Sequence, residues 1–311
     1  MDYSHQPVMV DEVIEYLITD TKGLYVDGTV GTAGHSIEIC RKLAPFGRLI
    51  CLDVDSEAVR ITNERLSQFK DLVTIVKGSY VGLKDILGKL GIGKVHGILL
   101  DLGMSSHQLE SSGRGFSFLR DEPLDMRMDE DITLHAEELV NTLTGEKLEE
   151  VIWNYGQERW AKVISRAILK ERQKYPIRSS KQLSRLIEAA IPDKYHPRRI
   201  HPATRTFQAL RIAVNRELGN IRDFLKTAPQ LLEKKGRIVV ISYHSLEDRI
   251  IKHTFRHWSS SNIYPRKLPV SNIGKYSSMR IVTKKGIRPS ENEVYLNPRS
   301  RSAILRVAER C

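Results

Sequence analysis

The stretch Leu24-Tyr-Val-Asp-Gly-Thr-Val-Gly-Thr-Ala-Gly34 decides the fold. It opens with an apolar run of β-forming residues, Leu24 to Val26, which is typical of a buried strand. Asp27 and glycines at 28, 31 and 34 follow, and the residues after them have helical spacing. Glycine lets the backbone take a positive φ and approach a ligand closely. A doubly wound sheet holds nucleotide-like cofactors at such a strand-to-helix turn, although a tight structural turn would read the same way.

The spacing of these glycines excludes two common nucleotide sites. Gly-x-x-Gly-x-x-Gly is not the dinucleotide fingerprint Gly-x-Gly-x-x-Gly, and no Gly-Lys-Ser/Thr of a phosphate-binding loop follows it. An NAD-dependent dehydrogenase would need that fingerprint and a second βαβ half. Neither is present in the sequence.

Length and composition indicate a globular protein. The chain has 311 residues, of which 41% are hydrophobic and 28% charged, enough for one large domain or two modest ones. No apolar run approaches the roughly 20 residues that span a bilayer. The N-terminus resembles neither a signal nor a transit peptide. The 3 cysteines lie far apart and form no zinc-type pair. We therefore expect a cytoplasmic protein without a metal or a membrane partner.

The net charge of +11 is concentrated in two segments. Residues 159–216 hold 15 Lys/Arg against 3 Asp/Glu, and residues 266–310 hold 11 against 3. The remainder of the chain is therefore acidic, near −9. Basic surface confined to two segments predicts a polyanionic partner, with solvated helix faces as the alternative.

Carboxylates follow three predicted strands. Asp27, Asp53 and Asp101 each come at the end of an apolar run. Open α/β sheets bind ligands at this carboxyl edge, so we expect the three acids to converge. Asp53 lies where a carboxylate accepts the two ribose hydroxyls, whereas Asp55 is predicted to cap the next helix. Tyr80 comes just past the end of another predicted strand, Leu72 to Ser79, which lies between those that end in Asp53 and Asp101.

The strand rhythm stops between Glu110 and Ile200, where only helical patterns are evident. The expected domains are a sheet domain at 1–109 and 206–311 and an inserted helical domain at 110–205. Two further strands, near residues 278–285 and 302–308, are joined by a polar stretch in which we predict no helix. That connection favours an antiparallel terminal pair.

An antiparallel end on a parallel sheet, with Asp-Gly-Thr-x-Gly at the first turn, resembles the α/β, Rossmann-like fold of class I S-adenosylmethionine-dependent methyltransferases. Longer motifs resemble one family within that class, the bacterial 16S ribosomal RNA cytosine-N4 methyltransferases (the RsmH/MraW family). These motifs are Asp27-Gly-Thr-Val-Gly-Thr-Ala-Gly-His-Ser36, Asp101-Leu-Gly-Met-Ser-Ser106, Arg114-Gly-Phe-Ser-Phe118, Pro123-Leu-Asp-Met-Arg-Met-Asp129, His201-Pro-Ala-Thr-Arg-Thr-Phe-Gln208, Tyr243-His-Ser-Leu-Glu-Asp-Arg249 and Asn297-Pro-Arg-Ser-Arg-Ser302. They span nearly the whole chain.

The resemblance implies S-adenosyl-L-methionine as the cofactor. The implied cofactor-binding residues are Gly28, Ala33, Gly34, His35, Asp53, Tyr80, Asp101 and Gln108. The chain departs from the family pattern twice. Ala33 stands where many members have glycine, which is compatible with a negative φ. Tyr80 stands where Phe is common, and it keeps the stacking face.

The resemblance also implies methylation of one cytidine in the decoding centre of 16S ribosomal RNA, within the small ribosomal subunit. We predict that Asp101 and Ser105 hold the N4 amine and that His244 lines the substrate side. A helix N-cap is the alternative role for Ser105, and a structural hydrogen bond is the alternative for His244.

Phosphate contacts are expected from arginines in the site loop and at the exit of the insertion. The predicted RNA-binding residues are Arg114, Arg127, Arg198, Arg199 and Arg205. A DNA cytosine-N4 methyltransferase is the nearest alternative, but the Pro-Pro-aromatic motif of those enzymes is missing after Asp101. A non-catalytic RNA-binding protein with a vestigial cofactor site is a further alternative. A homodimer is left open.

Overall fold

A computed structural model describes residues 7–43, 45–197, 200–260 and 278–311. The chain divides into two compact units. The sheet unit comprises Met1–Gly103 and Leu218–Cys311, and the helical unit comprises Met104–Glu217. The helical unit begins a few residues before the expected start of the insertion, residue 110. It ends about one helix after the expected end, residue 205.

The sheet unit contains one seven-stranded sheet in the order β3-β2-β1-β4-β5-β7-β6. Strands β1 to β5 are parallel, β7 pairs antiparallel with β5, and β6 pairs antiparallel with β7. The strands are β1 (Leu24–Asp27), β2 (Arg48–Asp53), β3 (Val73–Lys77), β4 (Val95–Asp101), β5 (Leu232–Ser242), β6 (Met279–Ile281) and β7 (Ile304–Arg310). The predicted fold class, a Rossmann-like sheet with an antiparallel C-terminal pair, is confirmed.

Thirteen α-helices occur in the described ranges, joined in places by short 3-10 helices. They are α1 (Val10–Leu17), α2 (Gly34–Leu43), α3 (Ser56–Arg65), α4 (Leu83–Lys89), α5 (Ser106–Glu110), α6 (Ala136–Thr142), α7 (Gly145–Gly156), α8 (Ala161–Arg172), α9 (Ser180–Ala190), α10 (Thr204–Asn215), α11 (Glu217–Leu231), α12 (Ser245–Ser259) and α13 (Glu291–Leu296). No described helix is both long and apolar enough to cross a membrane.

The central strands are apolar along their length because both faces of the sheet are covered. In β2, every residue from Leu49 to Leu52 is buried, and β4 is buried from Ile98 to Leu100. Parallel sheets show such continuous apolar runs instead of alternation. The strand ends, where polar residues replace the apolar run, therefore mark the edge that is available to a ligand.

The prediction of no helix between the last two strands is wrong. The six-residue helix α13 lies there, and a 3-10 helix, Pro298–Ser302, follows it. The Ser290 hydroxyl oxygen caps α13 by accepting the backbone N–H of Glu293 at 3.1 Å. None of the residues in α13 is buried, so the sequence has no apolar periodicity by which the helix could be predicted.

The helical unit has its own apolar core. Helices α6 to α10 contribute buried side chains on one face each, among them Leu139, Ile152, Ile164, Ile187 and Leu210. Spacing of three and four residues within each helix produces these faces. Phe118 joins the same cluster by stacking on His201 at a centroid distance of 4.6 Å.

Candidate active site

The topology of the sheet unit brings three strand ends together. Strand β1 lies between β2 and β4, and Asp27, Asp53 and Asp101 are the last residues of these strands. The chain order reverses on either side of β1, and such a switch point is where open α/β sheets bind ligands. The predicted convergence of strand ends is therefore present in the sheet.

Asp27 is part of the turn itself. Its carboxylate is only 1% exposed and accepts the Ser36 hydroxyl at 2.7 Å and the Thr29 backbone N–H at 3.2 Å. Burial raises the pKa of Asp27, although the Ser36 hydrogen bond works against this effect. Asp27 therefore joins the end of β1 to helix α2 and has little surface left for a ligand.

Asp53 fixes the glycine turn. Its Oδ2 accepts the Gly31 backbone N–H at 2.8 Å, and its Oδ1 accepts the Asp55 backbone N–H at 3.0 Å. Burial raises the pKa of Asp53 to about 6, because the two backbone N–H bonds only partly offset the lost hydration. Asp55 caps α3 as predicted, accepting the Glu57 N–H.

Two glycines of the turn are closely packed. A Cβ added at Gly28 would lie 2.6 Å from Cδ2 of Leu100 and 3.2 Å from Cβ of Tyr80. A Cβ added at Gly34 would lie 3.0 Å from Cβ of Pro7. A side chain at Gly28 would therefore require Leu100 to shift, and one at Gly34 would press on Pro7, even without a ligand.

The expected negative φ at Ala33 is wrong. Ala33 has φ 64°, in the left-handed region, and its methyl group is fully buried. A left-handed backbone costs a non-glycine residue about 1–2 kcal/mol. The backbone N–H of Ala33 donates to the Val30 carbonyl at 2.8 Å, and its carbonyl accepts the Ile37 N–H. The turn and the start of α2 impose this conformation.

His35 and Asp101 face each other beside the turn. His35 is buried at the start of α2, with Nε2 2.8 Å from the Val8 carbonyl oxygen and Nδ1 3.7 Å from Asp101 Oδ2. The Asp101 backbone N–H donates to the Thr29 hydroxyl oxygen at 2.7 Å. Burial raises the pKa of Asp101 to about 6, against the opposing effects of His35 and of a hydrogen bond from Tyr243.

Tyr80 is the predicted aromatic residue of the site. It begins a 3-10 helix, Tyr80–Gly82, whose start is capped by the Ser79 hydroxyl oxygen. Its ring meets the Phe224 ring edge-on, with a centroid distance of 5.5 Å and an interplanar angle of 83°. Phe224, from α11, was not predicted because nothing in its helical apolar stripe separates it from core residues.

Ser105 and Gln108 belong to the helical unit and form the capping box of α5. The Ser105 hydroxyl oxygen accepts the Gln108 backbone N–H at 3.2 Å, and Gln108 Oε1 accepts the Ser105 backbone N–H at 3.0 Å. The alternative role considered for Ser105, a helix N-cap, is therefore present. A catalytic role for Ser105 and a cofactor contact for Gln108 stay predictions.

His244 is the N-cap residue of α12. Its Nδ1 accepts the Glu247 backbone N–H at 3.4 Å, and the Glu247 carboxylate accepts the Tyr243 backbone N–H at 2.9 Å. The buried Nε2 lies 3.2 Å from Glu247 Oε1 without the alignment of a hydrogen bond. This geometry accounts for His244 as a structural residue, and its place on the substrate side stays a prediction.

Three of the predicted RNA-binding arginines lie in the described part of the chain, and each has a partner within the helical unit. Arg114 donates to the Arg127 carbonyl at 3.1 Å, and Arg127 binds Asp125 through two nitrogens at 2.7 and 2.9 Å. Arg205 lies 3.9 Å from Glu158 Oε2. Arg198 and Arg199 lie outside the described residues. Phosphate binding by these arginines stays a prediction. Arg127 makes a close internal contact through its ion pair with Asp125.

Helix α8 carries a basic face whose residues were not among the predicted RNA-binding residues. Lys162, Arg166 and Lys170 recur every four residues and are exposed, whereas Ile164 and Ile168 point into the core. Successive charges are about 6 Å apart along the axis. Within the described part of the chain, none of the three side chains forms an ion pair. The four-residue spacing of these three cations is the feature of the sequence from which the basic face could have been predicted.

The residues of the sheet unit fit an adenosine-type cofactor. Asp53 is an acceptor at the end of β2, Tyr80 offers an aromatic ring after β3, and the His35–Asp101 pair stands at the end of β4. These three strand ends surround the switch point. These residue types match the ribose hydroxyls, the base and the cationic group of such a cofactor, and the contacts themselves stay predictions.

Known proteins match this chain along its full length. Ribosomal RNA small subunit methyltransferase H of Clostridioides difficile is 46% identical over 310 residues, covering 100% of both chains. The protein of the same name from Geotalea uraniireducens is 47% identical, covering 99% of both. A solved rRNA methylase from Streptococcus thermophilus is 10% identical, with a TM-score of 0.41, and the match covers 97% of this chain and 93% of that one. A family model described as the MraW methylase family matches residues 2–311. The chain belongs to the MraW methylase family.

Proposed function

We propose that this protein methylates the exocyclic N4 amine of a cytidine in the 16S ribosomal RNA of the small subunit. The observation that carries the proposal is the full-length identity to proteins named ribosomal RNA small subunit methyltransferase H. The acidic ends of β1, β2 and β4 support the proposal, because open α/β sheets bind ligands at this edge. The decoding centre is the expected position of the target, from the resemblance of the site motifs to the cytosine-N4 family.

S-adenosylmethionine is the cofactor, in keeping with the family. When bound, it supplies a methyl group on a positively charged sulfur. Asp53 would accept the ribose hydroxyls with the oxygen lone pairs that Gly31 and Asp55 leave open. Tyr80 would stack on the adenine. The backbone of Ala33 to His35 would lie against the cofactor, because the turn already holds these residues in a fixed conformation.

The cytosine amine is a poor nucleophile, because its lone pair is delocalised into the ring. Transfer forms the N4–methyl bond, breaks the sulfur–methyl bond and releases one N4 proton. Asp101 is the proposed acceptor, since its carboxylate ends β4 and remains 24% exposed. A carboxylate aimed at the charge that develops on the amine lowers the barrier without reorganisation. Ser105 and His244 are proposed to orient the amine and the base.

The helical unit is proposed to bind the RNA, as the inserted domain of the methyltransferase. The exposed face of α8, with Lys162, Arg166 and Lys170, supports this assignment, since neighbouring cations at helical spacing can follow a row of phosphates. Arg114, Arg198, Arg199 and Arg205 are proposed to add contacts. Such binding is sequence-independent, so selection of one cytidine would come from the shape of the folded RNA.

The test uses purified protein, methyl-labelled S-adenosylmethionine and small subunits from a strain that lacks the enzyme. Naked ribosomal RNA and duplex DNA are assayed in parallel, and the modified nucleosides are identified by mass spectrometry. We expect N4-methylcytidine in the subunit and none in DNA. A methyl group on another atom of the RNA would overturn the N4 assignment. Label in DNA would favour a DNA methyltransferase, and cofactor binding without transfer would favour a binding protein.

A further inference from the structure

Tyr243 contacts the proposed catalytic carboxylate directly. Its hydroxyl donates to Asp101 Oδ1 at 2.8 Å. The contact follows from the sheet register, because Asp101 pairs with Ile241 and Tyr243 comes two residues further along the same chain direction. The ring packs past Gly103, where an added Cβ would lie 3.6 Å from Cδ2 of Tyr243. The phenol therefore reaches the end of the neighbouring strand.

The phenol remains a donor at physiological pH. Burial raises the pKa of Tyr243 well above its usual value, and the nearby charge of Asp101 raises it further. The Tyr243 backbone N–H is held by Glu247 at 2.9 Å, so the residue is fixed at its backbone as well as at its hydroxyl. A fixed, protonated phenol can bond the ionised form of Asp101 continuously.

The second oxygen of Asp101 faces His35. A carbonyl oxygen can only accept, so His35 Nε2, which is 2.8 Å from the Val8 carbonyl, must carry a hydrogen. The other ring nitrogen, Nδ1, lies 3.7 Å from Asp101 Oδ2, which is beyond hydrogen-bond distance. Oδ2 therefore accepts no hydrogen bond from His35 and can receive a proton, whereas Oδ1 already accepts the hydrogen bond of the phenol.

We propose that Tyr243 is a positioning residue that holds Asp101 Oδ1 and leaves Oδ2 as the oxygen that receives the proton of the substrate amine. This inference rests on the proposed function, in which Asp101 accepts that proton. During transfer, the N4–H proton moves to Oδ2 as the N4–methyl bond forms and the sulfur–methyl bond breaks. Tyr243 loses no proton and touches no reacting atom.

Other charged groups near Asp101 and Tyr243 also influence the ionisation of these two side chains. Asp101 is faced by His35 from α2, by Asp27 from β1, and by Tyr243 and Glu247 from the segment after β5. Glu293 of α13 also acts on Tyr243. Among these neighbours, His35 and Tyr243 favour ionised Asp101, and the two acids oppose it.

The test is Tyr243→Phe, which removes one oxygen and keeps the ring. Carboxyl carbons of aspartate are labelled with ¹³C, the Asp101 signal is assigned with Asp101→Asn, and its titration is followed without cofactor. We expect the midpoint of Asp101 to rise by about one pH unit, a roughly tenfold change in its protonation equilibrium. The acid limb of the single-turnover rate should move by the same amount. Fluorotyrosine at position 243, a stronger donor, should move both in the opposite direction.

Tyr25→Phe is the matched control. Among the described residues, the Tyr25 hydroxyl bonds only the backbone of residues 19 and 20, with donor–acceptor distances of 2.9 to 3.0 Å. Its removal should leave the Asp101 titration in place. An unmoved titration in Tyr243→Phe would overturn the proposal, as would a moved titration with an unchanged rate profile. If the wild-type protein methylated no cytidine, the proposed function would fall, and the carboxyl titration would still decide whether the phenol bonds Asp101.

Discussion

Asp53 Oδ2 accepts the backbone N–H of Gly31 at 2.8 Å, so the carboxylate expected to hold the ribose also holds the cofactor turn. Its other oxygen accepts the N–H of Asp55, the residue that caps α3. One side chain thereby fixes the turn after β1 and the helix after β2. Substitution at Asp53 should consequently affect both the ligand and the turn.

The first prediction concerns cofactor affinity. Asp53→Asn should weaken S-adenosylmethionine binding about 10- to 100-fold, because the ribose hydroxyls no longer bond a charged acceptor. Wild-type affinity should fall as the pH drops below about 6, where Asp53 becomes protonated. The affinity ratio of wild type to variant should shrink over the same range. Calorimetry between pH 5 and 8 measures both. Asp85→Asn, at an exposed position of α4, is the control. Equal affinities of wild type and Asp53→Asn would contradict the ribose role.

The second prediction concerns the stability cost of Asp101. Burial raises the pKa of Asp101 to about 6 in the folded protein. The free energy of unfolding of the wild type therefore falls as the pH rises from about 4 to 6. Asp101→Asn keeps an acceptor for Tyr243 and offers His35 Nδ1 an amide N–H. We expect the variant to be more stable above pH 6 by on the order of 1–3 kcal/mol, and to be inactive.

Urea unfolding at several pH values measures this gain. The difference between variant and wild type should be near zero below pH 4, grow up to pH 6 and then stay constant. A variant that is destabilised at pH 7 would show that the carboxylate is satisfied in the folded protein. A gain that is equal at all pH values would rule out ionisation as its cause.

The third prediction separates the two roles of Ser105. Ser105→Ala removes the N-cap of α5 and should cost about 1 kcal/mol of unfolding free energy. Ser105→Asp restores a cap without the hydroxyl. If Ser105 orients the amine, both variants should slow the single-turnover rate with cofactor and RNA saturating. If the hydroxyl only caps, Ser105→Asp should keep the wild-type rate, and the catalytic role would be withdrawn.

The fourth prediction concerns the basic face of α8. Replacing Lys162, Arg166 and Lys170 by Ala should weaken subunit binding and reduce the slope of log K against log salt by about 0.7–0.9 for each phosphate that the variant no longer neutralises. The control is the triple alanine variant at Lys84, Lys89 and Lys94, which removes equal charge from exposed positions of the sheet unit. Equal effects from the two triples would indicate that only total charge matters.

The sequence contained enough information for the sheet but not for all its side-chain partners. Apolar runs that end in acids predicted β1, β2 and β4, because a strand buried on both faces must be apolar until it reaches the edge. Asp53 was placed correctly at that edge. The Tyr243–Asp101 hydrogen bond joins positions 142 residues apart and depends on sheet register, which no local pattern specifies. The positive φ of Ala33 was missed because alanine is an unfavourable residue there.

The last prediction uses two glycines that flank Arg114 in the loop of the helical unit. Gly113 and Gly115 both have positive φ, 67° and 72°. A Cβ added at Gly113 meets nothing within 4 Å, whereas one at Gly115 would lie 2.2 Å from the Pro123 carbonyl oxygen. Gly113→Ala should therefore cost only the left-handed backbone, about 1 kcal/mol. Gly115→Ala adds a clash with backbone, so we expect about 2–4 kcal/mol.

The two variants carry the same added methyl group, so their difference isolates the clash. Urea unfolding measures the free energies, and the single-turnover rate reports whether the loop tolerates the shift. The Gly115 backbone N–H also donates to the Glu122 carboxylate at 2.9 Å, so displacement of Gly115 would break this hydrogen bond of the loop as well. Equal costs for the two variants would mean that the chain at Pro123 yields freely. In that case the loop around Arg114 would not be held in the fixed conformation that a role in positioning RNA requires.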